Sequence, residues 1–496
     1  MAKKILVWLD DKYAYLHYGI CKKLSKLGEY EFYGFVSQKL DYDFLKKQND
    51  VEFKELYYYS ECYFKKSQKP DMNFLSEVEK KFNLNLWLLA YTERTFLEER
   101  NFFHKFNSDE ILFIVESLLK LLLNFFDNTK PDFIIMQKTG ENLANLLLFH
   151  IAKSIDIDTW MFTETRLENS FVLSNDLYGK TIKNEFEKIK KSKCPSLKTF
   201  DHEYIIKNSV SKMVHDYMNI EFGKSTTPQK IKRYGKRIFV NTEELYINRG
   251  KSKFKMLEWR IKHYFELKNR INFINQNLVK EIPSSNFVYF PLPVQPESQT
   301  NAWAPFQSNL LYIIENIARS IPSKYILAIK EHPAQASKNW RSIDFYQKII
   351  SLPNVSLIHP SVDNQKFLSN CKILLTINSS SGFEALFYKK PVIVFTDVFY
   401  DSVSMVKKII DFSKLPAMIN ELISSFTFSD FELSCLVSAI ESKQYIIPYW
   451  KIMKDISNIS SLNIHSNFDI VKKNLDEFLN KYDSSFSTMA NAYNIK

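Results

Sequence analysis

The chain has 496 residues, of which 45% are hydrophobic and 25% are charged. This balance excludes an intrinsically disordered protein, and the length predicts two or three domains because one core rarely serves a chain this long. Five scattered cysteines without CxxC or Cys/His spacing argue against a zinc site or a disulfide framework. They fit structural roles in a reducing cytoplasm.

Positive charge is concentrated in the middle of the chain. The formal net charge is +11, and residues 181–270 hold 22 Lys and Arg against 10 Asp and Glu, a net of +12. Such a segment could be a solvated helical face, a nucleic-acid patch or a site for anionic lipid headgroups. No DNA- or RNA-binding motif is present, so we expect no nucleic-acid partner.

Two apolar stretches have to be compared with a signal peptide and with a membrane-spanning helix. The run Ile5–Leu9 is too short for a signal peptide and predicts a first strand. The stretch Ile111–Phe126 contains Glu116 and Lys120 and falls short of the roughly 20 residues that a span requires, so it predicts a buried helix. We therefore expect a soluble, cytoplasmic protein.

Hydrophobic periodicity predicts an α/β protein with two Rossmann-like lobes and a helical basic insertion between them. In the first lobe, residues 1–180, strands are predicted at Ile5–Leu9, Glu31–Val36, Val51–Tyr59, Asp132–Gln137 and Asp158–Thr163, with a long helical insertion between Asp71 and Asn128. Residues 181–275 form a basic helical connector with one strand, Arg237–Asn241. In the second lobe, residues 276–400, strands are predicted at Asn286–Phe290, Tyr325–Ile329, Val355–Ile358, Ile373–Thr376 and Pro391–Phe395. Residues 401–496 are predicted to be helical to the end.

Glycine is rare, with nine in the chain and none spaced as GxGxxG or GxxxxGK. A dinucleotide fingerprint and a Walker loop are therefore both excluded. Gly140 and Gly382 each follow a predicted strand just before a helix. In open α/β sheets ligands bind beyond the carboxyl ends of strands, so both glycines mark candidate sites.

Three segments of the second lobe carry candidate binding residues. NSSSGFEAL places Ser379, Ser380, Ser381 and Gly382 between a strand and a helix, where hydroxyls and free N–H groups suit a phosphate, although ordinary N-capping would use the same residues. KEHP places Lys330 and His332 at a strand end, and the histidine could donate to a leaving phosphate or simply make a local loop contact.

The third segment, FPLPVQPE, is a proline-stiffened loop with Gln295 and Glu297. All three segments lie at the predicted carboxyl ends of strands in one sheet. This arrangement predicts a shared ligand site.

In this order, FPLPVQPES, KEHP and NSSSGFEALFYKKPVIVF resemble the donor lobe of the bacterial capsule polysaccharide synthesis family, the GT-B-type Kdo transferases, which are similar to bacterial sialyltransferases. The resemblance is clearest over residues 286–397 and fainter over 131–175. It implies that His332, Ser379 and Ser380 bind the phosphate of a CMP-sugar and that Glu384 binds the ribose. It implies no cofactor and no metal.

This chain differs from that family at Pro293 and at the motif that would supply the catalytic carboxylate. Relatives often have histidine where this chain has Pro293, and the acidic Glu-Asp-Gly-type motif is absent, its nearest counterpart being FTETRLEN. An enzyme of this type needs an acidic residue in its cleft as a nucleophile or base. We expect Glu164 to be that residue, with an ion pair to Arg166 as the alternative role. Glu141, Asp10 and Asp11 are the reserves, and Gly140, Glu141 and Arg166 are placed on the acceptor side.

The favoured prediction is a metal-independent GT-B glycosyltransferase that moves an acidic, Kdo-like sugar from a CMP-sugar to a glycan or glycolipid acceptor. The basic connector suggests an anionic membrane surface as a further partner. The alternatives are a transferase using CDP-glycerol, CDP-ribitol or a UDP-sugar, a non-hydrolysing 2-epimerase, and a non-catalytic scaffold of a capsule assembly complex.

Overall fold

The computed structural model describes residues 2–65, 68–96, 103–138, 140, 142–167, 169–192, 200–208, 253–463 and 468–495. Most of the predicted basic connector, including the strand Arg237–Asn241, lies outside the described residues, as does Glu141. Two sheets organise the described chain.

Thirteen strands are present in these described residues. They are β1 (Lys3–Leu9), β2 (Tyr30–Val36), β3 (Phe53–Tyr58), β4 (Phe133–Ile135), β5 (Asp158–Glu164), β6 (Ser170–Ser174), β7 (Phe287–Pro291), β8 (Ile326–Lys330), β9 (Val355–Ile358), β10 (Leu374–Thr376), β11 (Val392–Val394), β12 (Val406–Lys408) and β13 (Gln444–Ile446).

The helices surround these strands. They are α1 (Tyr13–Leu24), α2 (Lys39–Lys47), α3 (Glu61–Phe64), α4 (Met72–Phe82), α5 (Leu86–Ala90), α6 (Ser108–Thr129), α7 (Leu143–Ser154), α8 (Lys180–Lys191), α9 (His202–Asn208), α10 (Lys253–Asn277), α11 (Ser298–Asn301), α12 (Leu310–Ser320), α13 (Ile343–Ile350), α14 (Asn364–Asn370), α15 (Ser380–Phe387), α16 (Leu415–Ser425), α17 (Asp430–Lys443), α18 (Tyr449–Asn463), α19 (Phe468–Lys481) and α20 (Asp483–Asn494), with 3₁₀ helices at Pro305–Gln307, Pro333–Lys338 and Phe412–Lys414.

The first sheet has seven strands in the order β13-β6-β5-β4-β1-β2-β3. Its central strand β1 is the predicted apolar run, and Ile5–Leu9 is buried because helices cover both faces of the sheet. The prediction of a wholly parallel sheet is wrong at one edge, where β5 and β6 pair antiparallel and β13 continues that pattern.

The second sheet has six strands in the order β12-β11-β10-β7-β8-β9, and all of its recorded pairs are parallel. Counted from β7, this is the order 3-2-1-4-5-6 of a dinucleotide-binding fold, which reverses between β7 and β10. Apolar clusters cover both of its faces. The predicted fold of two Rossmann-like lobes is confirmed, and the topology puts the expected crevice at the carboxyl ends of β7 and β10.

The end of the chain returns to the first lobe. Residues after Asp401 were predicted to be wholly helical, but β12 extends the second sheet and β13 extends the first. These strands are three residues long, too short to show a period of two in the sequence. Helix α20 then packs on α1 so closely that a Cβ on Gly19 would lie 2.5 Å from the Phe486 ring.

Helix α6 covers the predicted buried stretch, with Leu118, Leu122 and Phe125 in the core. Among the described residues, no single helix is long and apolar enough to cross a membrane, although the segments Phe412–Ser425 and Asp430–Lys443, bent by 110°, pass the same test as a pair.

Candidate active site

A cleft that is open to solvent lies between the two lobes. The first lobe contributes residues that follow β4, β5 and β6, and the second contributes loops after β10 and β11 together with one residue after α11. The principal polar lining residues are Lys138, Thr163, Glu164, Arg166, Trp303, Asn378, Ser380, Asp397 and Tyr400. The cleft therefore lies where the sheet topology predicts a ligand.

The serines at the start of α15 have different roles. Ser379 is the N-cap, and its Oγ accepts the Ser381 N–H at 3.1 Å. The Ser379 N–H in turn donates to Thr376 Oγ1 at 3.1 Å. Ser380, one position further, lines the cleft. Ser379 thus makes the capping contact that was its alternative role, and the predicted phosphate contacts of Ser379 and Ser380 stay predictions.

Gly382 makes room for a tyrosine. A Cβ at this position would lie 2.2 Å from Tyr400 Oη and 2.9 Å from its Cζ. The same hydroxyl donates to the Ser379 carbonyl oxygen at 2.7 Å. Gly382 is therefore required for close packing that fixes the start of α15.

Glu384 lies one turn into α15, beside the cleft. Burial raises the pKa of its carboxyl, while the charge of Arg166 and hydrogen bonds from Ser380 and Asn364 favour the ionised form. Asn364 is held by the Tyr289 hydroxyl, which donates to its Oδ1 at 2.6 Å. Glu384 is not among the residues that line the cleft, and its implied contact with the ribose stays a prediction.

The three polar residues of the KEHP segment separate in space. Glu331 is fully buried and accepts from Arg341 Nε at 2.9 Å and from the Tyr346 hydroxyl at 2.8 Å. Burial lowers the pKa of Lys330 to about 8, against the opposing charges of Glu331 and Asp363. His332 is exposed, and its Nδ1 accepts the Ala334 N–H at 3.1 Å at the start of a 3₁₀ turn.

His332 therefore makes the local loop contact that was its alternative role, and it is not among the residues that line the cleft. Its predicted part in phosphate binding stays a prediction. Arg341 had no signal in the sequence. Its contact with Glu331 gives this segment a structural role.

The proline-rich loop is held by its own contacts. Gln295 donates through Nε2 to the Ser308 carbonyl at 2.8 Å and accepts from Arg341 Nη1 at 3.2 Å. Arg341 also donates to the Pro293 carbonyl. Glu297 lies 3.8 Å from Lys338 Nζ. In these positions Gln295 and Glu297 shape the loop, and their predicted contacts with the donor stay untested.

Glu164 faces the cleft, but both of its oxygens have donors. Arg166 Nη1 donates to Oε2 at 2.7 Å, and Trp450 Nε1 donates to Oε1 at 2.8 Å. Arg166 occupies the left-handed region with φ of 71° in the turn between β5 and β6. The alternative of an Arg166 ion pair is therefore realised, and it holds the Glu164 carboxylate in a fixed orientation at the cleft wall.

The reserve carboxylate Asp10 lies at the carboxyl end of β1, next to β4. Asn142 Nδ2 donates to its Oδ2 at 2.6 Å, and burial together with the charge of Asp11 raises the pKa of Asp10 to about 6 despite hydrogen bonds that oppose the shift. A carboxyl with a pKa near neutrality can accept a proton, so Asp10 has the acidity of a general base. Asp11 lies beside it, with φ of 45° and its N–H donating to Ser37 Oγ at 3.1 Å.

The lobes touch at Gly140, which adopts φ of 112°. A Cβ there would lie 2.8 Å from the Cβ of Ala302 and 3.0 Å from that of Ser298. The neighbouring Lys138 places its Nζ 3.8 Å from the ring centroid of Trp303. Gly140 is thus the contact that allows the second lobe to approach the strand ends of the first.

Sequence reasoning missed Lys138, Trp303, Asn378 and Tyr400 as cleft residues. Lys138 and Asn378 had a usable signal, because each follows a predicted strand by one or two positions. Trp303 and Tyr400 had none, since they reach the cleft from irregular loops. Among the described residues, no group of three or more His, Cys, Asp and Glu side chains is placed to hold a metal ion.

Known proteins provide an independent comparison. The model of the family described as capsule polysaccharide biosynthesis protein matches residues 228–408. A search of curated proteins finds no match. Solved structures similar to this chain include two of Thermosulfurimonas dismutans KpsC, described as beta Kdo 2,7 transferase and beta Kdo 2,4 transferase. The first is 11% identical over 64% of this chain and 79% of the other, with a TM-score of 0.33. The second is 12% identical over 64% and 87%, with a TM-score of 0.31.

The UDP-GlcNAc 2-epimerase of Methanocaldococcus jannaschii is 12% identical over 88% of this chain and 99% of the other, with a TM-score of 0.26. TM-scores this low support no inference about the site. The family match and the observed pair of Rossmann-like lobes agree with the predicted class, a GT-B-type glycosyltransferase of capsule synthesis. The family model thus matches residues 228–408, a segment that contains all three motifs of the second lobe.

Proposed function

We propose that the protein transfers an acidic, Kdo-like sugar from a CMP-sugar to a surface-glycan or glycolipid acceptor. The observation that carries this proposal is the interlobe cleft, which brings Asn378 and Ser380 of the donor lobe against Lys138, Glu164 and Arg166 of the acceptor lobe. One wall offers hydroxyl, amide and helix N–H groups, and the other offers cations and a carboxylate. A nucleotide sugar has the matching chemistry, because it carries phosphate, hydroxyls and a reacting sugar.

The nucleotide end belongs at the start of α15. Asn378 donates through Nδ2 to the Gln299 carbonyl at 2.7 Å, while its buried Oδ1 has no hydrogen-bond partner among the described residues. A buried acceptor without a partner is costly, so a ligand donor such as an amino group or hydroxyl would satisfy it. Ser380 and the helix N-terminus suit the phosphate, and Glu384 suits the ribose. The phosphate charge would be met by these groups without a metal.

Two carboxylates are candidates for the chemical step. Glu164 lies in the cleft but is held by two donors, which suits a fixed charge that stabilises positive charge developing on the sugar. Asp10 has the higher pKa and suits proton transfer from an acceptor hydroxyl. We assign Glu164 as the cleft carboxylate and keep Asp10 as the base in reserve.

Nucleotide binding tests the proposal directly. Thermal shift with CMP, CDP, UDP and GDP should show the largest stabilisation for CMP, since a ligand at 100 times its Kd adds about 2.7 kcal/mol. The double variant Ser380→Ala and Asn378→Ala should lose that shift, whereas Ser369→Ala, an exposed serine on α14, should keep it. A larger shift with CDP or UDP would favour the alternative donors. Binding of CMP without any hydrolysis or transfer of a CMP-sugar would favour a scaffold.

We also propose that the protein docks on an anionic membrane surface through helix α10. Six large apolar side chains of this helix expose between 39% and 85% of their surface: Phe254, Leu257, Ile261, Tyr264, Phe265 and Ile271. At 3.6 residues per turn they fall within an arc of about 120° on the outer side of the helix. The helix contains six Lys and Arg against two Glu, and Lys262 and Arg260 flank the arc. An apolar stripe bordered by basic residues fits an anionic lipid interface.

Liposome sedimentation tests this docking. Replacing Phe254, Leu257 and Ile261 by Ser should abolish binding to vesicles with anionic lipid, and added salt should weaken binding by the unaltered protein because screening shortens the reach of its charges. Replacing Tyr312, an exposed aromatic on α12, by Ser is the matched control. Equal binding by all three proteins would leave α10 without a membrane role.

A further inference from the structure

Lys138 is a basic side chain in the cleft that forms no ion pair with a carboxylate of the described residues. Its Nζ lies over the Trp303 ring, and no carboxylate oxygen of the described residues lies within 4 Å of it. The charged groups that act on it are Arg166, Asp176 and Glu164.

The neighbouring carboxylates already have partners. Glu164 accepts from Arg166 and Trp450. Asp176 accepts the Tyr178 N–H at 2.7 Å and the Lys180 N–H at 3.0 Å at the start of α8. The acid on the opposite wall, Asp397, is paired with Lys408 at 2.6 Å. Among the described residues, Glu164 and Asp397 are thus paired with cations and Asp176 accepts backbone N–H groups, whereas Lys138 has no ion pair.

A second feature lies on the same wall. Thr163 lines the cleft, and its buried Oγ1 has no hydrogen-bond partner among the described residues. A cation without a counterion beside a hydroxyl without a partner is a place that an anionic oxygen would stabilise, since burial of either group alone is unfavourable.

We propose that Lys138, with Thr163 and the outer face of the Arg166 guanidinium, binds the carboxylate of the donor sugar. This rests on the proposed function, and it names the feature that selects an acidic sugar over a neutral one. The donor phosphate belongs on the opposite wall at Ser380, so the sugar carboxylate is the anion that remains for Lys138. The Trp303 ring, whose centroid lies 3.8 Å from Nζ, stabilises the ammonium group of Lys138.

The pH dependence of binding follows from the same geometry. Burial, together with the charge of Arg166, lowers the pKa of Lys138 to about 7 against the opposing charges of Asp176 and Glu164. A bound carboxylate favours the charged form and raises this pKa. Affinity for an acidic sugar should therefore be highest below about pH 7 and should fall as the pH rises, because binding must then include uptake of a proton.

Calorimetric titration of the full chain with CMP and with CMP-Kdo tests the proposal. The unaltered protein should bind CMP-Kdo more tightly than CMP. Lys138→Met should leave the Kd for CMP within about twofold and weaken CMP-Kdo by about ten- to a hundredfold, the usual loss for a charge-assisted contact. Lys138→Arg should keep the preference for CMP-Kdo while removing its pH dependence, because arginine stays charged. Lys372→Met, at an exposed lysine of the second lobe, is the control and should change neither Kd.

The outcomes are separable. If no nucleotide binds, the proposed function fails. If CMP binds and CMP-Kdo binds no more tightly, the carboxylate site is wrong. Equal weakening of CMP and CMP-Kdo in Lys138→Met would assign Lys138 to the phosphate and overturn the proposal. Should the Met variant not fold, the Arg variant and the pH profile of the unaltered protein decide the question, and a flat profile would contradict it.

Discussion

Replacing Arg341 by Met should be among the most damaging single changes to the donor lobe. The Arg341 and Glu331 side chains expose 7% and 0% of their surface, and the pair is joined at 2.9 Å. Methionine would leave the Glu331 carboxylate buried with the Tyr346 hydroxyl and the His332 N–H as its hydrogen-bond donors. Removing one partner of a buried ion pair costs about 3–5 kcal/mol, a large part of a typical total of about 5–15 kcal/mol.

The assay is urea denaturation of Arg341→Met, Glu331→Gln and the double variant. The double variant should be more stable than Arg341→Met alone, because it buries no unpaired charge. Arg319→Met, which breaks the exposed pair with Glu315, is the control and should cost less than about 1 kcal/mol. A loss under about 1 kcal/mol in Arg341→Met, or a double variant less stable than it, would refute the structural role given to Glu331.

Two further predictions concern the cleft. Gly382→Ala should lower the free energy of unfolding by about 1–3 kcal/mol, because its Cβ would overpack against Tyr400, and it should weaken CMP binding. In thermal melting, adding Tyr400→Phe to Gly382→Ala should restore part of the lost stability. Asp10→Asn should raise stability at pH 7.5 by up to about 3 kcal/mol, because the pKa of Asp10 is raised from 3.8 to about 6 and the native state disfavours its ionisation. This gain should shrink as the pH falls below about 6, where the native state becomes protonated, and should disappear only below 3.8, where the unfolded state is protonated too. Its absence at pH 7.5 would contradict the burial argument. A loss of at least a hundredfold in transfer by Asp10→Asn, with smaller loss in Glu164→Gln, would make Asp10 the base.

The fold was predictable where burial imposes long patterns. The five apolar residues Ile5–Leu9 predicted a first strand, and the run is fully buried in the structure because helices cover both faces of the sheet. The donor-lobe strands were equally clear. By contrast, β12 and β13 join their sheets through only three residues each, and their pairing depends on partners far away in the chain. No local pattern could have placed them.

The candidate site was predictable in position and less so in roles. Strand ends identified the region of Ser380, Glu164 and Gly140, because topology alone brings these points together. Roles could not be predicted where one residue type serves two purposes. In this structure Ser379 and His332 each accept a backbone N–H group at the start of a helix. The same contact occurs both in ordinary helix caps and in ligand-binding loops. Sequence cannot separate these uses, because they differ only in which way the side chain turns.

The C-terminal part of the chain returns to the first lobe and supplies one of the two hydrogen-bond donors that hold Glu164 at the cleft wall. Trp450 lies in the first turn of α18, which follows β13 at the sheet edge and packs Ile452 and Ile456 into the core of the first lobe. The indole N–H then fixes Glu164 from one side while Arg166 fixes it from the other. Lys138 and Gly140, at the neighbouring strand end, meet Trp303 and Ala302 of the donor lobe. The carboxylate and the cation are therefore oriented by different parts of the chain, so a change that moves the lobes apart should displace Lys138 from its ring while leaving Glu164 in place.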